Sequence, residues 1–168
     1  MRRYYYNVAL RDGSKILLRP IKKSDAHFMI DLFHRFSEET IFERFFESIK
    51  DMTLDELKFY LDVDEKERFA LVAELSGKGI LLGVARYMGN GESAEFALVV
   101  ADEWQGKGLG TLMLKHLIEI ARENGVNTLT GLVFKSNSHM IHLIKMTGLP
   151  FTSCSVDNDI LMYALRLF

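Results

Sequence analysis

The sequence has a single cysteine, Cys154, among 168 residues, so no disulfide can form within the chain. No uninterrupted apolar run approaches the roughly 20 residues that a membrane-spanning helix needs. The basic amino-terminal start is not followed by the apolar core of a signal peptide. We therefore expect a soluble, cytoplasmic protein that does not contact membranes and is stabilised by its hydrophobic core alone.

Neither sign of charge dominates, because 21 Lys and Arg residues face 23 Asp and Glu residues and the net charge is -2. The basic residues are scattered along the chain, which argues against direct nucleic-acid binding as the main task. Internal repeats, low-complexity tracts and linkers are also lacking. A chain of this length has the size of one ordinary domain, so we expect residues 1–168 to form a single domain.

The apolar patterns that are present predict several short elements. Strand-like runs, YYYNVAL and KILLRPI, flank the turn residues Asp12 and Gly13, which predicts an N-terminal hairpin. A helix with Ser24 or Asp25 as its cap follows, and two more helical segments are ETIFERFFESI and LDELKFYLD, the last capped by Thr53.

The apolar period then changes from that of helices to that of strands. The runs RFALVAEL, ILLGVARYM and AEFALVVA predict an antiparallel meander. A long helix that stops near Asn124 and Gly125 comes next, followed by strand TLTGLVF, helix SHMIHLIKM and a terminal pair, FTSCSV and DILMYALRLF. This order predicts an α/β fold with a mixed, mostly antiparallel sheet and a single parallel crossing.

The loop QGKGLG, from Gln105 to Gly110, has three glycines where a strand passes into a helix. Lys107 lies between glycines, which misplaces it for a Walker loop, and Thr111 stands where a dinucleotide fingerprint needs a glycine. Glycines still allow backbone N–H groups to approach a phosphate, and the helix that begins near Gly108 directs its positive dipole end there. The loop therefore predicts a ligand that carries a pyrophosphate.

This loop resembles the Q/RxxGxG/A signature of the GNAT superfamily of acetyl-CoA-dependent N-acetyltransferases. The Arg19-Pro20 segment, Asn137 at a helix start and the GLPF segment from Gly148 extend the resemblance to nearly the whole chain after about Lys15. It implies a GNAT fold, with helices on both sides of the sheet, acetyl-CoA as the acyl donor and no metal. The implied cofactor contacts are Leu98, Val99, Val100, Gln105, Gly106, Lys107, Gly108, Leu109, Gly110, Thr111 and Asn137.

The stretches LRPIKKSD, FERFFES, FALVAEL and AEFALVVADEWQGKGLGTLM resemble, more narrowly, the bacterial and archaeal protein lysine acetyltransferases. This resemblance implies a protein lysine as acceptor, on an acyl-CoA synthetase or a small chromatin protein, and we expect a stand-alone monomer or homodimer. Two alternatives stay open. The acceptor could be a small amine, such as a polyamine, an amino sugar or a peptide amino terminus, or the chain could be a non-catalytic acyl-CoA sensor.

Acetyl transfer to lysine needs a neutral amine, and because free lysine has a pKa of about 10.4, a general base helps at pH 7. Glu95, at the start of strand EFALVV, is the candidate, and partial burial there would raise its carboxyl pKa. The enzymes it resembles use a glutamate at this place, directly or through a water. Glu92 is the second choice, and a plain surface role is the alternative for Glu95.

The backbone N–H of Val99 or Val100 is the candidate oxyanion hole, with ordinary sheet hydrogen bonding as the alternative. The resemblance makes Asn137 a contact of the pantetheine arm, while its position also suits a helix N-cap. The family often has a tyrosine acid seven residues later, and Ile144 occupies that place here. A dedicated general acid is therefore in doubt, although a thiol leaves readily because its pKa is near 8.5.

Other reactive or apolar residues receive a structural interpretation. The helical spacing of Phe42, Phe45 and Phe46 predicts that they pack in the core. Arg44, which lies among them, is expected to be exposed or ion-paired. Cys154 lies in a strand interpreted as packing, without a His-Asp arrangement around it. His139 and His142 are three residues apart, but no carboxylate or cysteine pattern completes a metal site.

Overall fold

The computed structural model describes residues 3–168 as an eight-stranded sheet with five helices. The strands are β1 (Tyr6–Ala9), β2 (Lys15–Pro20), β3 (Arg68–Leu75), β4 (Ile80–Gly89), β5 (Ser93–Val100), β6 (Thr128–Phe134), β7 (Phe151–Ser155) and β8 (Ile160–Arg166). The helices are α1 (Ala26–His34), α2 (Glu38–Phe45), α3 (Leu54–Leu61), α4 (Leu109–Glu123) and α5 (Ser138–Met146).

The strand order in the sheet is β1-β2-β3-β4-β5-β6-β8-β7. Every neighbouring pair is antiparallel except β5 and β6, which run parallel because α4 connects them across one face of the sheet. The predicted hairpin, the antiparallel meander of β3 to β5 and the single parallel crossing are all confirmed.

Helices cover both faces of the sheet, so the core has two layers. Alternate side chains of each strand point to opposite faces. On one face the strands pack against α4 and α5, through residues such as Met113, Leu117 and Ile144. On the other face they pack against α1 and α3, through Leu32 and Leu57.

Helix α3 begins as its sequence predicts, with a reciprocal capping box between Thr53 and Glu56. Helix α2 is shorter than predicted. It ends at Phe45 because Phe46 takes a left-handed conformation with φ 61°, so the ESI segment leaves the helix axis.

Asp25 is the N-cap residue of α1, one of the two residues that the sequence offers, but its side chain makes no capping hydrogen bond to the helix. Instead, both of its carboxylate oxygens accept hydrogen bonds from the Arg19 guanidinium, at 2.8 Å each. Arg19 also donates to Glu74 on β3, at 2.8 Å. The Arg19, Asp25 and Glu74 side chains thus fix the start of α1 to the sheet through a nearly buried ion-pair cluster.

The FTSCSV strand is not a packing strand, contrary to its sequence interpretation. It forms β7, the edge of the sheet, and all its residues from Phe151 to Ser155 are exposed because no helix covers them. Cys154 is accordingly an exposed free thiol. None of the helices within residues 3–168 has both the length and the apolar character that a membrane crossing requires.

Candidate active site

The sheet opens between β5 and β6. These parallel strands pair only at their first residues, where Ser93 to Glu95 oppose Thr128 to Thr130. Beyond that point β5 still pairs with β4 as far as Val100, while β6 pairs with β8. The strands therefore diverge, and a cleft of about 290 Å³ occupies the space beside residues 96–100 of β5.

The direction of the β5 backbone decides which N–H groups face this cleft. The Ala101 N–H donates to the Leu82 carbonyl, at 2.8 Å, so Ala101 faces β4. Because N–H directions alternate along a strand, Val99 also faces β4, and the N–H groups of Leu98 and Val100 face the opening. Of the two alternatives offered for an oxyanion hole, Val99 or Val100, the geometry favours Val100, since the Val99 N–H belongs to the ladder with β4.

The glycine loop lies at the end of this opening, and its backbone is bare. Gly106 and Gly108 have φ values of 73° and 87°, in the left-handed region that favours glycine. In the described part of the chain, the N–H groups from Gly106 to Thr111 donate to no backbone or side-chain acceptor. Consecutive free N–H groups at the start of the 15-residue helix α4 form a favourable setting for a phosphate.

Some residues of the QGKGLG loop make contacts within the protein. The Gln105 amide donates to the Val100 carbonyl, at 2.9 Å, which ties the loop to the end of β5. Gly110 serves packing, because a Cβ there would lie 3.1 Å from Leu143 Cδ1 on α5. Lys107 stacks on the Trp104 ring, with Nζ 4.7 Å from its centroid.

Helix α5 supplies the opposite side of the cleft. Asn137 caps it, as the sequence predicts, because its Oδ1 accepts from the Met140 N–H at 3.0 Å. The Asn137 amide nitrogen has no protein acceptor among residues 3–168, and the side chain lines the cleft. Ile144 is fully buried in the core, so no proton donor can act from that position.

Helix α2 crosses the cleft and is held at both ends. Near its start, Thr40 donates to Asp102, at 3.2 Å, and accepts from Gln105, at 3.3 Å. Near its end, the Phe134 ring of β6 stacks on Phe42, with centroids 5.1 Å apart, and on Phe46, at 4.9 Å. These contacts make α2 a bridge over the diverging strands.

The prediction that the FERFF phenylalanines belong to the core is therefore wrong. Phe42 is exposed, and Phe45 and Phe46 are partly buried and line the cleft. The helical spacing of these residues is real, but α2 lies across an opening instead of against the sheet, so its apolar face borders the cleft.

Arg44 also differs from its sequence interpretation as an exposed or ion-paired residue. It is partly buried in the cleft, stacks on Phe45 with Cζ 4.8 Å from the centroid, and has no ion pair in the described chain. Burial lowers the pKa of Arg44, partly opposed by the nearby Tyr60 and Glu95. Beside it, burial and the charge of Arg44 lower the pKa of Arg86 to about 10.

Four glutamates line the cleft, namely Glu43, Glu47, Glu56 and Glu95, whereas the other candidate base, Glu92, does not. The Glu95 side chain is exposed, so the partial burial predicted for Glu95 is wrong. Glu92 lies in the exposed loop before β5. Glu43 of α2 is partly buried in the cleft, and burial, followed by Glu39 and Asp102, raises its carboxyl pKa.

The sequence interpretation missed four residues at or beside the site. Glu43 and Tyr60 line the cleft, Phe134 contacts the α2 bridge, and Arg86 lines an adjoining hollow. Arg86 carried a usable signal, since it is the only charge within the apolar strand ILLGVARYM. Tyr60 and Phe134 gave none, because an aromatic residue at the end of a helix or strand is ordinary core material.

The described residues include no group of three or more His, Cys, Asp or Glu side chains arranged for a metal ion. His139 and His142 are both exposed on α5. Cys154 lies on β7, which contributes no residue to the cleft. The candidate site therefore consists of the cleft between β5 and β6, the glycine loop and the α2 bridge.

A family model described as "Acetyltransferase (GNAT) family" matches residues 29–149, well over half of the chain. The chain belongs to the GNAT family of acetyltransferases. This membership confirms the family resemblance of the glycine loop and makes the protein an acyltransferase. GNAT acetyltransferases use acetyl-CoA as the acyl donor.

Curated relatives share much of the sequence. Acetyltransferase PA5475 of Pseudomonas aeruginosa is 32% identical over 144 residues, which are 83% of this chain and 77% of that protein. Acetyltransferase Pat of Mycolicibacterium smegmatis is 29% identical over 144 residues, or 84% of this chain. The aligned region spans only 43% of the length of Pat.

Solved structures share the architecture. The GNAT domain of Streptomyces lividans PAT superposes with a TM-score of 0.89 over 97% of both chains, at 24% identity. YncA of Salmonella typhimurium, solved with its cofactor acetyl-CoA, superposes with a TM-score of 0.72 over 91% of this chain and 94% of that chain, at 22% identity. These likenesses confirm the predicted GNAT fold.

Proposed function

We propose that this protein transfers an acetyl group from acetyl-CoA to the side-chain amine of a protein lysine, by direct attack in a ternary complex. One observation carries the proposal: the diverging strands β5 and β6 expose backbone N–H groups beside the free N–H groups of the glycine loop. One opening thus offers donors for an acyl oxygen and, at its end, donors for a pyrophosphate.

The residues present fit coenzyme A. The N–H groups from Gly106 to Thr111 would hold its pyrophosphate, and the free amide nitrogen of Asn137 would donate to the pantetheine arm. When bound, acetyl-CoA supplies an activated acyl group on a thiol whose ordinary pKa is about 8.5. A strong proton donor is not needed for such a leaving group, which agrees with the apolar Ile144.

Glu95 and Val100 would act on the acceptor amine and on the acetyl group. In this proposal the Glu95 carboxylate removes the proton from the attacking amine, directly or through a water. The Val100 N–H, which faces the opening, donates to the thioester oxygen as negative charge develops there. Glu43 is a second carboxyl group in the cleft, and its raised pKa makes it the competing candidate for proton transfer.

A protein acceptor is supported by the relation to Pat and by the fold likeness to the PAT domain. A small-amine acceptor is the second candidate, because an L-methionine sulfoximine/L-methionine sulfone acetyltransferase of Pseudomonas aeruginosa is 27% identical over 95 residues, 53% of this chain.

The test is release of free thiol from acetyl-CoA by the purified protein. Acceptors would be a panel of acyl-CoA synthetases, DNA-binding proteins and small amines, with the acetylated atom located by mass spectrometry. We expect turnover on a protein lysine. Glu95→Gln should lower kcat/KM about 100-fold or more while acetyl-CoA affinity stays within about threefold.

Two matched variants assign the base. Glu92→Gln, in the loop just before β5, should leave the rate close to wild type, whereas an equal loss in Glu43→Gln would transfer the role to Glu43. Turnover on small amines alone would overturn the lysine proposal. Tight acetyl-CoA binding without turnover on any acceptor would indicate a sensor.

A further inference from the structure

A second hollow of about 190 Å³ adjoins the cleft at its acceptor end. The two cavities share Arg44, Tyr60 and Glu95. Arg86 of β4 lines the second hollow and lies on the same sheet face as Glu95, because it pairs with Ala97, two residues further along β5. Two arginines from different elements thus meet beside the candidate base.

Both guanidinium groups are organised around one tyrosine ring. The Cζ atom of Arg86 lies 4.8 Å from the Tyr60 centroid and that of Arg44 lies 6.0 Å from it. Arg86 also donates a hydrogen bond to the Tyr60 carbonyl. These contacts hold the two cations in place before any ligand arrives.

Neither cation forms an ion pair in the described part of the chain, although burial, which has the larger effect on the pKa of Arg44 and lowers it, is opposed by the charge of the nearby Glu95. Arg19 and Arg68 form ion pairs with carboxylates, but Arg44 and Arg86 have no such pair within residues 3–168. The Arg86 Nε atom is buried and has no hydrogen-bond partner there. Partly buried like charges with an unsatisfied donor are costly unless an anion joins them, so the arrangement favours an anionic ligand.

We propose that Arg44 and Arg86 form a carboxylate subsite that selects acceptor lysines with an Asp or Glu close by in the sequence. The inference rests on the proposed function, since it places the acidic side chain of the substrate next to the lysine that Glu95 would deprotonate. A planar carboxylate suits two guanidinium forks, which can donate to both of its oxygens. Arg44 and Arg86 are specificity residues in this scheme and do not touch the reacting atoms.

The test uses peptides with blocked ends that contain one lysine. In each pair of peptides, Asp or Asn occupies one position that lies one or two residues before or after the lysine. The wild-type protein should show a kcat/KM about tenfold or more higher for the best Asp peptide than for its Asn partner. Arg86→Met and Arg44→Met should each reduce that ratio to below about threefold, with the larger loss of kcat/KM on the Asp peptide.

Arg68→Gln is the matched control, because Arg68 borders the same hollow but already pairs with Asp62 at 2.6 Å. It should keep the wild-type preference for Asp. Equal wild-type rates on Asp and Asn peptides would overturn the proposal. So would an equal loss on both peptides in the arginine variants, which would indicate a structural role.

A binding measurement separates this inference from the proposed function. Calorimetric titration of the same peptides into the protein with coenzyme A needs no turnover. Selective binding of Asp peptides without acetylation would support the carboxylate subsite and overturn the proposed function. Acetylation of Asp and Asn peptides at equal rates and with equal affinity would support the proposed function and overturn the subsite. A preference for free lysine over lysinamide, with no effect of Asp in peptides, would overturn the peptide proposal in favour of an amino acid.

Discussion

Two regions of this protein place a buried or partly buried arginine in opposite surroundings. Arg19 is held by two carboxylates, and its hydrogen bonds to Asp25 are the largest cause that raises its pKa, against the effect of burial. Arg86 has a cation as its neighbour, and burial followed by Arg44 lowers its pKa to about 10.

This difference separates a group that maintains the fold from groups available to a ligand. The Arg19 cluster is complete within the chain, so removing one member leaves buried charge behind. The Arg44 and Arg86 pair is incomplete within the chain, so removing one member relieves repulsion and desolvation. The same residue type should therefore respond in opposite ways to substitution.

The largest effect is expected for Arg19→Met. Asp25 and Glu74, with side chains 3% and 18% exposed, would lose their cation, so the free energy of unfolding should fall by about 3–5 kcal/mol. Urea denaturation at pH 7 measures this. The control is Arg68→Met, whose ion pair is exposed and should contribute less than about 1 kcal/mol; similar losses in both variants would contradict the contrast.

A second effect concerns the pH dependence of the free energy of unfolding. Burial alone raises the pKa of Asp25, but hydrogen bonds from Arg19 and the Lys22 N–H outweigh it, so the folded-state pKa lies below 3.8. The stabilisation is therefore complete above the unfolded pKa and is lost as the pH falls through the folded pKa. The stability difference between wild type and Asp25→Asn should be constant from pH 7 to about 5 and shrink below about pH 4. A constant difference down to pH 2.5 would refute this.

A smaller effect, about tenfold in acetyl-CoA affinity, is expected for Gly108→Ala. The backbone at Gly108 has φ 87°, and Gly77, in the β3–β4 turn, has φ 74° with equally open space at its Cβ. Alanine should therefore cost about 1 kcal/mol of stability at either position. Only the Gly108 variant should weaken acetyl-CoA binding in calorimetry, since only Gly108 borders the free N–H groups. Equal binding losses would show that the loop acts through stability alone.

The smallest expected effect is the stability change in Arg86→Met, and its sign matters more than its size. Replacing an unpaired, partly buried cation by an apolar side chain should leave the free energy of unfolding within about 1 kcal/mol of wild type, or raise it. Thermal and urea denaturation measure the change. A loss of 2 kcal/mol or more would place Arg86 with Arg19 as a structural residue.

Sequence reasoning succeeded where local chemistry decides the structure. The glycine loop, the Thr53 capping box and the Asn137 cap each depend on backbone conformations and hydrogen bonds within a few residues. The strand-like runs of β3 to β5, separated by short glycine-containing turns, likewise predicted the antiparallel pairing that is observed. These features were predicted at their observed positions.

Sequence reasoning failed where an apolar or charged residue suits two different environments equally well. Phe42 and Phe46 follow helical spacing whether α2 packs on the sheet or bridges an opening, so periodicity alone favoured the core. Asp25 suits an N-cap equally well whether or not Arg19 takes its carboxylate. The exposed state of Glu95 depends on which elements cover the end of β5, and these come from distant parts of the chain.

The sequence by itself determined the order of strands and helices and the place of the glycine loop, because glycine conformation, capping and apolar period act over short distances, and the resemblance of that loop indicated the family. Only the tertiary structure decided that Val100 instead of Val99 faces the opening, that α2 bridges it and that Arg44 and Arg86 meet without an ion-pair partner among residues 3–168. Those outcomes depend on how far β5 and β6 diverge and on what lies across the gap, and both follow from packing between segments remote in sequence.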